Sequence, residues 1–200
     1  MSMEFSYTMF KGWFEAGGQD SGVLLAGMTP QQKLLLLSDG SMTLGLEGLL
    51  GSRVEVELRH RGNTLLGAGD ASYLGEAAGK ESMEREVWLT IDGKRLIYAQ
   101  TLIPLDRIDK SLLNILNERG GEPLGRVLHT GHVPFIKENL EIALVRCAGA
   151  ALGLGLGADA LFIARRYILF NKKESGGWVI KASVTEVFSP EIISAPLLEG

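Results

Sequence analysis

Cysteine and clustered basic residues are scarce in this chain, and each shortage excludes a class of protein. Cys147 is the only cysteine among 200 residues, so neither an intrachain disulfide nor a cysteine-based metal cluster can form. The 20 basic residues are outnumbered by 24 acidic ones, which gives a net charge of −4. A nucleic-acid surface needs clustered Lys and Arg, so we expect no nucleic-acid partner. A single buried arginine can still bind a carboxylate in an acidic protein.

Long uninterrupted hydrophobic runs are also missing. The longest apolar stretch, Cys147 to Ile163, is broken by Asp159 and several glycines, which makes it a poor membrane span. The first 18 residues lack the basic and apolar regions of a secretory signal. We therefore expect no stable membrane insertion, and a cytoplasmic location is the default prediction.

The composition is that of a globular protein. Hydrophobic residues make up 46% of the chain and charged residues 22%, which is enough to bury a core. There is no internal repeat and no low-complexity linker. We expect residues 1–200 to form a single domain.

Local signals predict four helices. Thr29, Pro30 and Gln32 have the spacing of a helix N-cap, a proline at the first helical position and a capping-box partner. The predicted helices are Pro30 to Leu37, about Ser41 to Leu50 with Gly51 as its end, Leu105 to Glu118, and Phe135 to Ala151.

Alternating and β-branched segments predict strands. Asp92-Gly93 is a favoured two-residue turn, and it separates Arg85–Ile91 from Lys94–Ile103. A second predicted hairpin joins Ile163–Phe170 to Trp178–Phe188. Further predictions are a half-buried strand over Arg53–Arg61, with Val54, Val56, Leu58 and His60 facing the core, and an irregular stretch over Gly62–Lys80. The order of elements predicts an α+β protein with a mostly antiparallel sheet flanked by helices.

Two charged residues fall on apolar strand faces. Side chains alternate along a strand, so Arg85 shares its face with Val87 and Leu89. By the same rule, Glu186 shares its face with Val184. Burying an unpaired charge costs roughly several kcal/mol, so such residues are usually paired or bound to something.

These two charges allow two interpretations. In the first, Arg85 and Glu186 form a structural ion pair or reach water at strand ends. In the second, they are the polar groups of an otherwise apolar pocket. The arginine fork matches a carboxylate, and the glutamate can accept a hydrogen bond from a hydroxyl group. The second interpretation predicts a small ligand with a carboxylate at one end and a hydroxyl at the other.

Other motifs allow a functional and a structural interpretation. The glycines at 153, 155 and 157 suggest a phosphate loop or, more simply, a flexible turn. His129 and His132 have the spacing of metal ligands, but a loop beside the ligand flap or plain surface is the better interpretation, and we expect no metal. Cys147 fits a buried structural thiol better than a nucleophile.

Five motifs occur in the order found in chorismate lyases, the 4-hydroxybenzoate synthases. Together they span roughly residues 34–190, and the chain therefore resembles that family. The motifs are Asp39-Gly40-Ser41-Met42-Thr43, Arg85-Glu86-Val87 with Asp92-Gly93 and Thr101-Leu102-Ile103-Pro104, Pro123-Leu124-Gly125-Arg126, Ala164-Arg165-Arg166-Tyr167, and Thr185-Glu186-Val187-Phe188 with Pro190.

The resemblance implies a fold, a reaction and a set of site residues. The fold is an antiparallel sheet with the ligand enclosed beneath helical flaps, and the reaction converts chorismate to 4-hydroxybenzoate and pyruvate without a cofactor. By resemblance, Arg85 holds the ring carboxylate together with the backbone amides of Met42 and Leu124. Glu186 lies at the ring hydroxyl. The product could feed a quinone or another aromatic metabolite.

The chain departs from the family at three positions where basic residues are frequent. Leu44, Gly45 and Gln100 stand there instead. Chorismate has a second carboxylate on its enolpyruvyl group, and we expect Arg126, Arg165 and Arg166 to compensate as substrate-binding residues. The alternative function is a non-catalytic protein of the same fold that binds a small aromatic carboxylate, as in the effector-binding domains of bacterial regulators.

Overall fold

One antiparallel sheet organises the computed structural model, which describes residues 5–174 and 176–195. The strand order is β1-β5-β6-β7-β4-β3-β2, and every pairing is antiparallel. The strands are β1 (Tyr7–Glu15), β2 (Glu55–Leu65), β3 (Glu81–Ile91), β4 (Lys94–Pro104), β5 (Ile136–Cys147), β6 (Leu161–Lys172) and β7 (Trp178–Phe188).

Helices cover both faces of this sheet, and the predicted α+β class is confirmed. They are α1 (Gly22–Leu25), α2 (Pro30–Leu37), α3 (Met42–Leu50), α4 (Ala68–Leu74), α5 (Lys110–Glu118), α6 (Leu124–Thr130) and α7 (Ala148–Leu154). Short 3₁₀ turns lie at Gln19–Ser21 and Leu105–Arg107. Helices α2, α3, α5 and α6 pack on one face, whereas α4 and α7 pack on the other.

The local signals at α2 and α3 act as predicted. The Thr29 hydroxyl accepts a hydrogen bond from the Gln32 N–H at 3.2 Å, and the Gln32 side chain accepts one from the Thr29 N–H at 2.9 Å. This is a complete capping box. The Ser41 hydroxyl caps α3, which ends at Gly51 in the left-handed region with φ 72°. Both helices therefore begin at residues that the sequence identifies.

The predicted helix Phe135 to Ala151 is wrong, because residues 136–147 form strand β5 between β1 and β6. Ile142, Ala143, Leu144 and Val145 are all fully buried. A strand buried on both faces has a continuous apolar run, and hydrophobic periodicity cannot distinguish that run from a buried helix. Only residues 148–154 are helical in this region.

Strand β1 and helix α4 were not predicted. β1 pairs with β5 at the edge of the sheet, and α4 lies within the stretch expected to be irregular. Strand β2 at the opposite edge of the sheet also differs from its prediction, since Leu58 is exposed. A register shift between Leu58 and His60 interrupts the alternation there, as a bulge does. The predicted helix from Leu105 begins only at Lys110, after a cap by Asp109.

Helix α7 packs unusually close to β3 and β4. A Cβ atom added at Gly153 would lie 2.5 Å from the Trp88 indole, and one at Gly149 would lie 2.8 Å from the Tyr98 ring. Trp88 and Tyr98 are buried and stacked on each other with 4.8 Å between ring centroids. Gly155 ends the helix with φ 68°. The glycine-rich stretch therefore serves close packing and helix termination.

We predict that Gly153→Ala destabilises the protein although alanine is the better helix former. The added methyl group meets a buried indole that cannot shift freely, and overpacking of this kind costs about 1–3 kcal/mol. Gly48→Ala is the matched control, because Gly48 lies in α3 with nothing within 4 Å of the added atom. It should stabilise by about 0.5–1 kcal/mol. Unfolding in urea measures the change in the free energy of unfolding for both variants. An equal change in the two variants would contradict this account.

Candidate functional site

A cavity lies between the sheet and the starts of α3 and α6. It contains about 530 Å³ of empty space, part of which is open to solvent. Most of its walls are apolar, with charged groups at separate positions. The lining comprises Ser41, Met42, Thr43, Arg85, Val87, Leu89, Ala99, Thr101, Pro123, Leu124, Gly125, Phe135, Lys137, Tyr167, Leu169, Val184 and Glu186.

Arg85 brings a buried positive charge to this cavity from β3. Only 6% of the residue is exposed, and its Nη2 donates to the carbonyl oxygens of Gly120 (2.9 Å) and Glu122 (2.7 Å). Burial, followed by repulsion from Arg61, lowers the pKa of Arg85 to about 10. The guanidinium remains charged at neutral pH, and its hydrogen-bond partners are neutral carbonyls. An anion in the cavity would therefore meet a cation that no carboxylate of the described residues neutralises.

Two helices begin beside this arginine. Met42 and Leu124 are the first residues of α3 and α6, and both line the cavity. The first N–H groups of a helix have no partner within the helix, and their positive partial charge favours an anion. The backbone amides of these residues are thus suited to the same carboxylate that Arg85 would attract.

Glu186 faces the cavity from β7 and is held by a buried ion pair. Its Oε2 accepts a hydrogen bond from Arg165 Nε at 2.5 Å, and neither side chain is appreciably exposed. Arg165 Nη1 also donates to the carbonyl oxygens of Leu35, Leu36 and Ser38 at the end of α2. Within the described part of the chain, Arg165 Nη2 has no hydrogen-bond partner. The pair therefore fixes Glu186 and attaches α2 to the sheet.

The strand register sets the distance between Arg85 and Glu186. Arg85 is opposite Thr101, which is opposite Val184, two residues before Glu186. Two strand spacings of about 4.8 Å and two residues of about 3.4 Å place the Cα atoms of Arg85 and Glu186 roughly 12 Å apart. The expected alternative of an ion pair between them is not what the structure shows, because Glu186 pairs with Arg165 and Arg85 donates to carbonyl oxygens. The two charges instead lie at different ends of one cavity.

Tyr167 and Lys137 complete the polar group around Glu186. Burial, followed by the charge of Glu186, raises the pKa of the Tyr167 hydroxyl well above its usual range. Lys137 Nζ lies 4.2 Å from the Tyr167 ring centroid and donates to the Gly40 carbonyl oxygen at 2.5 Å. Burial lowers the pKa of Lys137 to about 8 despite the attraction of Glu186. Lys137 was not among the predicted site residues, because it lies in the segment expected to be helical.

The other predicted arginines do not line this cavity. Arg126 donates to Glu47 at 2.5 Å and lines an adjoining space of about 380 Å³. Arg166 lies on the opposite face of the sheet, with its guanidinium over the rings of Trp13 (4.4 Å) and Tyr73 (3.9 Å). Of the seven predicted site residues, four meet at the cavity and three do not. The four are Met42, Arg85, Leu124 and Glu186, and the three are Arg126, Arg165 and Arg166.

The described residues contain neither a candidate metal site nor a candidate membrane span. In residues 5–174 and 176–195, no group of three or more His, Cys, Asp and Glu side chains is placed to hold a metal ion. None of the described helices is both long and apolar enough to cross a membrane. Cys147 is buried at the end of β5, where burial raises the pKa of its thiol.

The sheet, its helical cover and the charged cavity define an α+β protein of the chorismate lyase-like fold. The crystal structure of the effector domain of PhnF from Mycobacterium smegmatis aligns with a TM-score of 0.57 at 18% identity, covering 78% of this chain and 91% of that one. A putative transcriptional regulator from Streptomyces coelicolor aligns with a TM-score of 0.53 at 19% identity, covering 74% and 97%. At these identities the likeness shows the fold alone.

Sequence comparison then shows the family. Residues 36–195 match the model of the family described as chorismate pyruvate-lyase Rv2949c-like, and the chain belongs to that family. A protein named "Probable chorismate pyruvate-lyase 1" from Pseudomonas entomophila (strain L48) is 32% identical over 105 residues. That alignment spans 52% of this chain and 55% of the relative. The resemblance inferred from the five motifs is confirmed.

We predict that Arg165→Met destabilises the protein by about 3–5 kcal/mol, because it leaves a buried carboxylate unpaired. It also removes the donor to three carbonyl groups at the end of α2. The free energy of unfolding in urea measures the loss.

Arg119→Met is the matched control. Its ion pair with Glu122 is on the surface, and surface pairs contribute little. We expect its unfolding curve to stay close to that of the wild type. Similar unfolding curves for the two variants would show that the buried ion pair contributes no more to stability than the surface pair does.

Proposed function

We propose that this protein is a chorismate pyruvate-lyase that converts chorismate to 4-hydroxybenzoate and pyruvate. One observation carries the proposal: a buried arginine hydrogen-bonded only to neutral carbonyl groups shares a cavity with a buried glutamate at the other end. This arrangement fits a ring with a carboxylate on one side and a hydroxyl group on the other. Membership of the family supports the same substrate.

The ring carboxylate would bind at Arg85. A guanidinium has five N–H donors, and the two carbonyl groups that hold Arg85 use only Nη2. The remaining donors suit a carboxylate, as do the first-turn amides of Met42 and Leu124. Apolar side chains between the two ends would contact the ring faces; these are Val87, Leu89, Ala99 and Val184.

The ring hydroxyl would bind at Glu186. A carboxylate accepts hydrogen bonds from hydroxyl groups, and Arg165 holds this carboxylate in one position from behind. Tyr167 stands beside it with a hydroxyl that stays protonated at neutral pH, because its pKa is raised. Glu186 therefore either orients the substrate hydroxyl or accepts the proton released from the carbon that bears this hydroxyl.

The elimination itself needs little from the protein. The C–H bond at the hydroxyl-bearing carbon breaks, and its electron pair completes the aromatic ring. The adjacent C–O bond breaks with its electrons, and enolpyruvate leaves and takes up a proton to become pyruvate. Aromatisation supplies the driving force, so orientation of the substrate and transfer of one proton are what the residues contribute. A quinone pathway is one possible consumer of the 4-hydroxybenzoate.

The alternative function is binding without turnover. Its support is the fold likeness to regulator structures, one of which is the effector domain of PhnF. Such a protein would use Arg85 to hold a carboxylate and would have no reaction to perform at Glu186. Binding of 4-hydroxybenzoate together with intact chorismate after long incubation would favour this alternative.

We predict that the purified protein converts chorismate to equal amounts of 4-hydroxybenzoate and pyruvate. Arg85→Gln should lower kcat/KM by about 30-fold or more, because truncating one partner of a buried, hydrogen-bonded charge pair costs about 2–5 kcal/mol. Chromatography of both products measures the rates.

Arg59→Gln is the control for this experiment. Arg59 is an exposed arginine on β2, and its loss should leave kcat/KM within about two-fold of the wild type, as expected for a surface charge. Full activity in Arg85→Gln would rule out the proposed carboxylate site. Absence of both products with folded wild-type protein would rule out the lyase activity.

A further inference from the structure

Lys137 is a cavity residue that the proposed mechanism does not use. It lines the cavity from β5, with its ammonium 4.2 Å from the centroid of the Tyr167 ring. An ammonium has three N–H donors, and the hydrogen bond from Lys137 goes to the carbonyl oxygen of Gly40. That acceptor is neutral, so the positive charge remains available to an anion.

A bulge in β5 aims Lys137 into the cavity. On β6, Arg165 and Leu169 are four residues apart and share one face, but their partners Ile142 and Lys137 are five apart. The extra residue lies in the register shift between residues 138 and 141, where Asn139 has φ 52°. Asparagine tolerates this left-handed conformation better than most residues. Because of the bulge, residues 137 and 142 face the same side of the sheet.

Lys137 lies at the Glu186 end of the cavity, away from Arg85. Its electrostatic neighbours are Glu186, Arg165 and Asp39, whereas the charged neighbour of Arg85 is Arg61. Strands β3 and β5 are also separated by β4, β7 and β6, which is about 19 Å at four strand spacings. The cavity therefore has a cation at each end.

Gln100 and Leu44, which stand where the family frequently has basic residues, do not face the cavity with a cation. Gln100, which replaces a frequent arginine of the family, donates to Glu84 at 2.5 Å. It alternates with Ala99 and Thr101, which line the cavity, so its side chain is on the opposite face of the sheet. Leu44 is 58% exposed. Among the cavity-lining residues, Arg85 and Lys137 are the two basic side chains.

The chemistry of the substrate calls for a second cation at this end. Chorismate has one carboxylate on the ring and another on the enolpyruvyl ether, whose carbon is next to the hydroxyl-bearing carbon. With the ring carboxylate at Arg85 and the hydroxyl at Glu186, the ether carboxylate emerges beside Glu186. Lys137 is the basic residue of the lining at that position.

We propose that Lys137 binds the ether-linked carboxylate of the substrate and so makes the site selective for dicarboxylates over aromatic monocarboxylates. This inference rests on the proposed function for the orientation of the substrate. Lys137 is then a specificity residue at the end of the cavity opposite Arg85, and its partner leaves with the pyruvate product. The remaining 4-hydroxybenzoate would be bound without help from Lys137.

Calorimetry with two unreactive ligands tests this assignment. One is 4-hydroxybenzoate, and the other is 3-(carboxymethoxy)-4-hydroxybenzoate, which carries an additional ether-linked carboxylate and is already aromatic. Lys137→Met should weaken binding of the dicarboxylate by about 10- to 100-fold, the range for a hydrogen bond to a charged group. Its affinity for 4-hydroxybenzoate should change by less than about two-fold. With chorismate, the variant should show a raised KM.

Lys172→Met is the matched control. Lys172 also lies over an aromatic ring, with its Nζ 4.9 Å from the Trp178 centroid, but it does not line the cavity. This variant should bind both ligands like the wild type.

Two results would overturn the assignment. Equal weakening of both ligands in Lys137→Met would show that Lys137 only tethers the connection at Gly40. Equal affinity of the wild type and Lys137→Met for the dicarboxylate would show that Lys137 has no role in binding it. Dicarboxylate selectivity without chorismate turnover would refute the lyase activity alone, and turnover without selectivity would refute the role of Lys137 alone.

Discussion

The ion pair between Arg165 and Glu186 is the interaction on which the site depends. Both side chains are buried, and removing two charges from water is favourable only when further hydrogen bonds satisfy them. Three carbonyl groups at the end of α2 provide these bonds to Arg165. The same contact therefore holds Glu186 at the cavity and fastens one of the helices on the cavity side of the sheet. A mobile glutamate or a detached helix would each disrupt the cavity.

The charges of the cavity are not balanced. Glu186 has its partner, whereas Arg85 and Lys137 are hydrogen-bonded to neutral carbonyl oxygens. An acidic protein with a net charge of −4 thus has a local excess of positive charge in a site of low dielectric constant, where charge interactions are strong. The excess explains how the site can favour an anion although the chain as a whole is acidic. It also gives the two ends of the cavity different roles.

Much of the fold could be predicted where a local signal decides it. The capping box at Thr29, the Asp92-Gly93 turn and the alternation around Arg85 depend on neighbours in the chain, and the structure contains all three. Strand β5 could not be predicted, because its buried run between residues 142 and 145 satisfies helix and strand equally. What made it a strand is pairing with β6, the next strand in the chain, and with β1, which is distant in sequence.

The sequence by itself determined that Arg85 and Glu186 face an apolar interior, since alternation along a strand follows from the covalent geometry of the chain. Only the tertiary structure decided their partners. Arg165 rather than Arg85 neutralises Glu186, because β6 is the strand beside β7 and their register aligns the two residues. A one-residue bulge in β5 places Lys137 on the cavity side of the sheet. Such a shift inverts the faces that simple alternation would assign.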